Sequence, residues 1–372
     1  LALGVPIAAL ALVIKNACMV FILPMFVHKA DKYAEKADLK GVERMHLLGG
    51  FLSVNLPIGL IVFFSYLFGS SAIEKVLQVI PEFIQNGLSI ATGMLPALGF
   101  ALLVKMIINK RVAVFYFLGF ALSVYLKIPI TGIAIFGTIL AIILVELDNK
   151  NKVVVQSGGV SVEQITKKDL MKVFWRSFTM EWSWNYERQA NMAYAYSMIP
   201  IIKKLYKTDF EKAEALKRHL EFFNTTPHIS TLILGISTAM EENNAKSQNF
   251  DTSSINNVKV GLMGPIAGIG DSFFWGTLRV IATGIGTSLA LKGNLLGPIL
   301  FLLVFNVPHL IARYLLMMGG YKVGVGLLDR VQKSGLMESL TYGAAILGLM
   351  VIGGMTAEMV VVNIPLTLGS GE

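Results

Sequence analysis

Residues 183–189 read SWNYERQ: an indole, a phenol, two amides, a carboxylate and a guanidinium in seven positions. Such a set suits a polyhydroxylated ligand. An indole can cover the apolar face of a sugar ring while carboxylate and amide groups pair with its hydroxyls. If the stretch is helical from Ser183, then Trp184, Glu187 and Asn191 share one face at i, i+3 and i+7, with Asn185 and Gln189 beside them. The same residues also suit a helix at a membrane surface, with Trp184 and Tyr186 at headgroup level and Glu187 and Arg188 pairing locally. Composition leaves both readings open.

Two further stretches carry chemistry. In HLEFFNTTP (219–227), Asn224, Thr225 and Thr226 sit where one helix should end and another begin. Thr226 followed by Pro227 offers an N-cap and a proline at the first helical position. A helix broken at membrane depth can instead turn its free backbone groups to a substrate. In GLMGPIAGIGDSFFWG (261–276), Gly and Pro residues predict an interrupted helix. An acid inside such an apolar run, Asp271, is a functional candidate by default. Its structural alternatives are capping a helix that begins at Ser272 and pairing with Arg279. GIGD (268–271) also fits the GxGD pattern of intramembrane aspartyl proteases, and PAL occurs at 96–98. Those enzymes need two carboxylates sharing a proton. No second acid stands in a preceding apolar helix, and PAL precedes GxGD, the reverse of the required order.

Other chemistries find little support. Cys18 is the only cysteine, so neither an intrachain disulfide nor a cysteine-based metal site can form. The five histidines have no metal-ligand spacing. No Walker loop is present, and no cofactor is expected. VGVGLLD (323–329) reads as a close-packing helix face.

The elements that position these residues are set by hydropathy. Apolar residues make up 54% of the 372 and charged residues 15%, with a mean hydropathy of +0.64. Soluble domains average about 25% charged. Runs near 2–27, 47–69, 87–108, 112–147, 227–240, 260–291, 296–318 and 341–365 approach the roughly 20 residues that cross a bilayer core. The expected fold is therefore an all-α integral membrane protein, with polytopic helices, broken or re-entrant segments and two membrane modules. The net charge of +8 does not imply nucleic acid, because the basic residues occupy the gaps between apolar runs, as the positive-inside rule expects. Placing 28–45, 105–111 and 148–176 in the cytoplasm closes the parity of the first half. LKIPITG then turns a hairpin between 112–126 and 130–147. Residues 148–165, polar and containing Gly and Ser, read as a linker between modules 1–147 and 166–372.

Capping boxes are predicted at Thr166–Asp169 and Thr208–Glu211. The first opens an amphipathic helix in which Leu170, Val173, Phe174, Ser177 and Phe178 share a face that can lie in the cytoplasmic interface. The chain opens inside an apolar run without Met and closes soon after another, and it reads as part of something longer.

FWRSF, SWNYER, YSMIPIIKKLY, RHLEFFNTTP, KVGLMGPIAGIGDSFFWGTLR and VNIPL, in this order over about 166–372, resemble the IID subunit of the mannose-family phosphotransferase-system permeases. HLLGGFL and MLPALGFALLVKMI are similar to the later part of the partner subunit, IIC. The resemblance implies a multi-pass permease of the bacterial cytoplasmic membrane that binds and moves a hexose of the mannose, glucose, fructose, sorbose or amino-sugar class. It implies separate cytosolic IIA and IIB partners that carry the phosphoryl group, so no phosphoryl-carrying residue is expected in this chain. IIC and IID pair in that family, the pairs form a trimer, and some class IIa bacteriocins use the permeases as receptors. Residue by residue, Trp184, Asn185 and Glu187 match the SWN-x-E run, and Asn224, Thr225 and Pro227 match the FFNT-x-P run. Asp271 matches the acid after the Gly-rich break. The motifs do not assign contacts; the chemistry of the residues does, with Trp184 expected on the sugar ring, Glu187, Asn185 and Asn224 on its hydroxyls, and Asp271 holding the break. In the family Met-Gln usually follows Glu-Arg. Here Gln189-Ala190 follows, so Gln189 is left without a role. The alternatives are a non-phosphorylating solute transporter and the GxGD protease.

Overall fold

The computed structural model describes residues 4–68, 108–148, 164–247, 250–334 and 337–359, with a few isolated positions between 81 and 105. The PAL at 96–98, most of the span at 87–108, most of the 148–165 linker and the VNIPL run lie outside them.

Helices account for all the regular structure among the described residues. The first part comprises α1 (Gly4–Ala17), α2 (Leu23–Glu35), α3 (Leu39–Gly50), α4 (Leu56–Phe68), α5 (Ala113–Leu126) and α6 (Ile130–Asp148). The second comprises α7 (Lys167–Arg176), α8 (Asn191–Leu205), α9 (Asp209–His219), α10 (Thr231–Lys246), α11 (Ser253–Gly270), α12 (Arg279–Ala290), α13 (Leu296–Ser334) and α14 (Met337–Met359). Leu10–Glu35, Leu39–Phe68 and Leu296–Val325 are long and apolar enough to cross a membrane, and they leave large apolar side chains such as Phe63, Phe64 and Leu302 exposed. Carbon surface that water would penalise is stable against lipid tails.

The hairpin expected at LKIPITG forms, with Lys127 in the left-handed region at φ 53° closing α5. Its arms are held mainly through α14, which lies along both. The approach is close because Gly119 and Gly353 face each other's helices. A Cβ at Gly353 would overlap the Tyr116 carbonyl, and one at Gly119 the Met350 carbonyl. A similar seam joins α10 to α13 through Gly235, Gly320 and Gly324, which agrees with the packing role expected for the VGVG stretch. The apolar run 227–240 does not become a span. It gives the 16-residue α10, too short to cross and buried on almost every face.

Both predicted capping boxes are present. Thr166 and Thr208 accept from the Asp169 and Glu211 amides, whose carboxylates accept in return from the cap amides. In α7, Leu170, Val173, Phe174 and Ser177 are buried as the amphipathic pattern requires. Phe178 is partly exposed. It lies over the Arg313 guanidinium and stacks on the exposed Trp175.

Arg176 pins the two halves of the chain together. Pro200 inside α8 has no N–H to offer the carbonyl four residues earlier. That carbonyl, Tyr196 O, accepts from Arg176 Nη1 at 3.0 Å. The same nitrogen donates to Glu43 Oε1 on α3 at 2.6 Å, and the guanidinium lies over the Tyr196 ring. Arg176→Ala is expected to lower stability by about 1–3 kcal/mol, read as a lower unfolding midpoint in detergent. Arg176→Lys should recover only part of it, since an ammonium lacks the planar fork.

Candidate functional site

A cavity of about 460 Å³ lies between the first 54 residues and residues 181–275, within the usual range for small-molecule sites. Five pieces of chain build it: α1 with the turn after it, the stretch after α3, the turn at 181–186, the break at 224–227, and the end of α11 with the segment beyond it. Among the described residues, three helical stretches widen to π-helix, at Cys18–Ile22, Phe51–Asn55 and Asp271–Leu278. Each supplies a wall residue: Met19, Val54, and Asp271 with Trp275. Such widened turns insert an extra residue and re-aim the side chains around it, and they are frequent at functional sites.

Of the residues expected at a site, Trp184, Asn224, Thr225 and Asp271 line this cavity together. Asp271 Oδ1 accepts from the Thr226 hydroxyl at 2.7 Å, and the Ala267 carbonyl is a second acceptor in reach of that hydroxyl at 3.1 Å. The expected break before Asp271 is not a break. The helix runs on from α11 through the π segment into α12. Its glycines serve close packing: a Cβ at Gly268 would press on Ile130, and one at Gly270 would overlap the Thr226 side chain. Asp271 is thus inside a continuous helix, and Arg279 lies over the Trp275 ring. Thr226 is not an N-cap, because α10 begins only at Thr231.

Asn185 and Glu187 do not line the cavity. Residues 183–189 form a closed turn, not a helix, so the shared face of Trp184, Glu187 and Asn191 does not arise. The Asn185 and Gln189 backbones bond reciprocally at 3.1 and 2.9 Å, and Gln189 sits in the left-handed region at φ 59°. Asn185 is fully buried and knits this turn. Its Oδ1 accepts from the Arg188 amide at 2.8 Å, and its Nδ2 reaches Gln189 O at 3.0 Å and Asn191 Oδ1 at 3.3 Å. Glu187 points to α2, where its Oε1 lies 3.0 Å from His28 Nε2. Arg188 Nε lies 3.7 Å from the same carboxylate oxygen, and Nη1 donates to Asp31 Oδ1 at 2.9 Å. Two substitutions separate these roles. Asn185→Ala should cost about 2–3 kcal/mol in unsatisfied buried amides, visible in the unfolding midpoint. Glu187→Gln should change ligand affinity less than about threefold, its partly exposed pair being a weak contact, as checked by equilibrium binding.

Lys15, Asn16, Glu181, Tyr186 and Trp275 also line the cavity, and motif reading missed them. Lys15 carried a signal, an ionisable residue inside an apolar run. Tyr186 donates to Asn16 Oδ1 at 3.0 Å and meets Trp184 edge to face at 4.8 Å, which orients both rings. Behind this wall, His46 bridges Ser183 Oγ at 2.7 Å and Thr179 Oγ1 at 2.9 Å, and Trp182 donates to the Leu47 carbonyl at 3.0 Å. The cavity therefore holds one ammonium and two carboxylates among amides, hydroxyls and indoles. It can form many directional hydrogen bonds to a neutral polar ligand and cover that ligand's apolar faces. Among the described residues, no cluster of His, Cys, Asp or Glu could hold a metal.

Spanning helices around a polar, aromatic-walled cavity fit a membrane permease for a small polar solute. Residues 164–372 match the model of the PTS system mannose/fructose/sorbose family IID component, and the chain belongs to that family. Residues 1–143 match the model of the PTS system sorbose-specific IIC component. The mannose-specific EIID component of Escherichia coli K12 is 42% identical over 207 residues, 55% of this chain and 73% of that relative. The mannose-specific EIIC component of the same organism is 29% identical over 150 residues, 40% of this chain; the chain spans a little over half, 56%, of that relative's length. A cryo-EM structure of the mannose transporter ManYZ with microcin E492 aligns with a TM-score of 0.51 at 42% identity, over 55% of this chain and 74% of the matched one. The chain is thus a membrane-embedded sugar permease component of a phosphotransferase system, all-helical and carrying IIC-like and IID-like stretches. The intramembrane-protease reading of GIGD is set aside by this membership.

Proposed function

We propose that the cavity is the hexose site of this permease. The observation that carries the reading is its wall, in which Lys15, Glu181, Asn224 and Asp271 face one space together with Trp184 and Trp275. A hexose offers hydroxyls that donate to the two carboxylates and accept from Lys15 and the Asn224 amide. Trp184 and Trp275 give the C–H faces of the ring an apolar cover. Thr225 donates to the Met263 carbonyl at 3.3 Å and shapes the floor. Asn185 and Glu187 act by holding the turn that presents Trp184 and Glu181.

On this reading 1–147 and 166–372 are two units joined through 148–165, and they enclose the sugar between them. The matches to IIC and IID components support pairing of IIC-like and IID-like units, and the bacterial relatives support placement in the bacterial cytoplasmic membrane. As further parts of the proposal, such pairs assemble into a trimer, and separate cytosolic IIA and IIB partners carry the phosphoryl group, which IIB passes to the sugar as it arrives. The structural relative binds a microcin, and a bacteriocin-receptor role is proposed here by that likeness.

Vesicles carrying the permease test the reading. Uptake should require phosphoenolpyruvate and the cytosolic carriers, with only sugar phosphate accumulating. Free sugar building up without them would favour a non-phosphorylating transporter.

A further inference from the structure

A second cavity, of about 830 Å³, opens where the α2–α3 turn meets α7 and α8. It lies beyond the polar end of the first two spans, on the face that the positive-inside rule assigns to the cytoplasm. Its lining is strongly cationic: Lys40, Lys172, Arg176, Lys203, Lys204 and Lys212 surround it. Only three carboxylates face them, and each is engaged. Glu43 pairs with Arg176 at 2.6 Å, and Asp169 takes Lys204 at 2.6 Å and Lys172 at 3.0 Å. Asp38 caps α3 by accepting from the Gly41 amide at 2.9 Å.

These pairs tie α3, α7 and α8 together, and Asp209 holds Lys212 at 3.2 Å, without neutralising the groove. Lys40 and Lys203 are exposed to it and have no acidic partner among the described residues. Low-dielectric walls on several sides focus this surplus charge into the concavity. The first turn of α3, with Leu39 and Lys40 in the lining, adds the positive end of a helix. A compact dianion fits such a site better than a neutral sugar, which would gain little from unpaired ammonium groups.

We propose that this groove is an anion site for a phosphate group, separate from the hexose cavity, with Lys40 and Lys203 as its free contacts. The phosphate can come from a soluble phosphate monoester or from a lipid headgroup, and the exposed, stacked Trp175 and Phe178 on and just beyond α7 mark a face that could rest at headgroup level.

The test uses the whole chain purified in a neutral detergent, with Lys40→Ala/Lys203→Ala as the variant and Lys217→Ala, outside the groove, as the control. In one arm, inorganic phosphate and hexose 6-phosphate are titrated by calorimetry. In the other, native mass spectrometry counts phosphatidylglycerol against phosphatidylcholine bound after delipidation. The expected result is saturable binding in one arm, weakened at least about fivefold in the double variant, relieved by salt and unchanged in the control. Binding in the first arm identifies a soluble monoester and binding in the second a lipid. Binding in neither arm, or equal binding by the wild type and a double variant with an unaltered unfolding midpoint, overturns the proposal.

Discussion

Asp271→Asn and Trp184→Ala should each weaken hexose binding at least tenfold, about 1.4 kcal/mol, while the protein still folds and inserts. For Asp271 the loss comes from replacing one carboxyl oxygen, an acceptor for a sugar hydroxyl, with an amide nitrogen, which keeps the shape but cannot accept. Its Thr226 contact survives, because the amide oxygen can still accept. For Trp184 the loss is the apolar cover of the sugar ring and the edge-to-face support of Tyr186, which in turn holds Asn16. Trp184→Phe should fall between wild type and alanine. Equilibrium binding to the purified protein reads the effect directly, and the unfolding midpoint separates it from damage to the fold. The contrast with Glu187→Gln is the informative part. Both carboxylates lie in stretches that resemble family motifs, yet only Asp271 faces the cavity.

Glu241→Ala should be the most destabilising single change, by about 3–5 kcal/mol. Glu241 has no exposed side-chain surface. Arg218 grips it with both arms, Nε to Oε1 at 2.8 Å and Nη2 to Oε2 at 3.0 Å, and the Tyr206 hydroxyl donates to Oε2. His219 Nε2 lies 2.8 Å from Oε1, outside good hydrogen-bond geometry. Lys259 closes the cluster by donating to the Arg218 carbonyl at 2.9 Å. Removing the carboxylate leaves the largely buried Arg218 guanidinium without its ionic partner.

The same cluster makes stability depend on pH. Burial disfavours the charged imidazole and holds His219 at about 4, below its ordinary 6.5. Burial alone would raise the Glu241 pKa, but the contacts with His219 and Arg218 outweigh it and hold Glu241 at about 2, below its ordinary 4.5. Both groups bind protons more readily in the unfolded chain. Their contribution is therefore fully present above about pH 6.5. It is lost first between 6.5 and 4 as His219 titrates, then from 4.5 towards 2 as Glu241 does. An unfolding midpoint that rises from pH 5 to 7 checks the sign, and Glu241→Ala should flatten the acid part of the profile.

The parts legible in sequence were those written locally. Thr166 with Asp169 and Thr208 with Glu211 announce their helices because a cap needs only partners three residues apart. Asn224, Thr225 and Asp271 were legible as polar groups in apolar company, and Trp184 through its place in an ordered set of motifs. The turn at 183–189 was misread because helical spacing ignores what Asn185 does. Its amide competes for the Arg188 N–H, and Gln189 takes a left-handed backbone conformation that ends any helix there. The Gly-rich stretch after 260 was misread for the opposite reason. Glycines weaken an isolated helix, but here Ile130 and Thr226 pack onto the space they leave, and packing outweighs propensity. Lys15 and Glu181 come together only because α1 and the turn at 181–186 face the same cavity, a juxtaposition that local sequence does not record.

The most direct test of the hexose assignment is a structure of the permease with a hexose bound. The sugar should occupy the 460 Å³ cavity with its ring against Trp184 or Trp275 and its hydroxyls within hydrogen-bond distance of Asp271, Asn224 and Lys15 or Glu181. Sugar bound elsewhere at full occupancy, with this cavity holding only water, would contradict it.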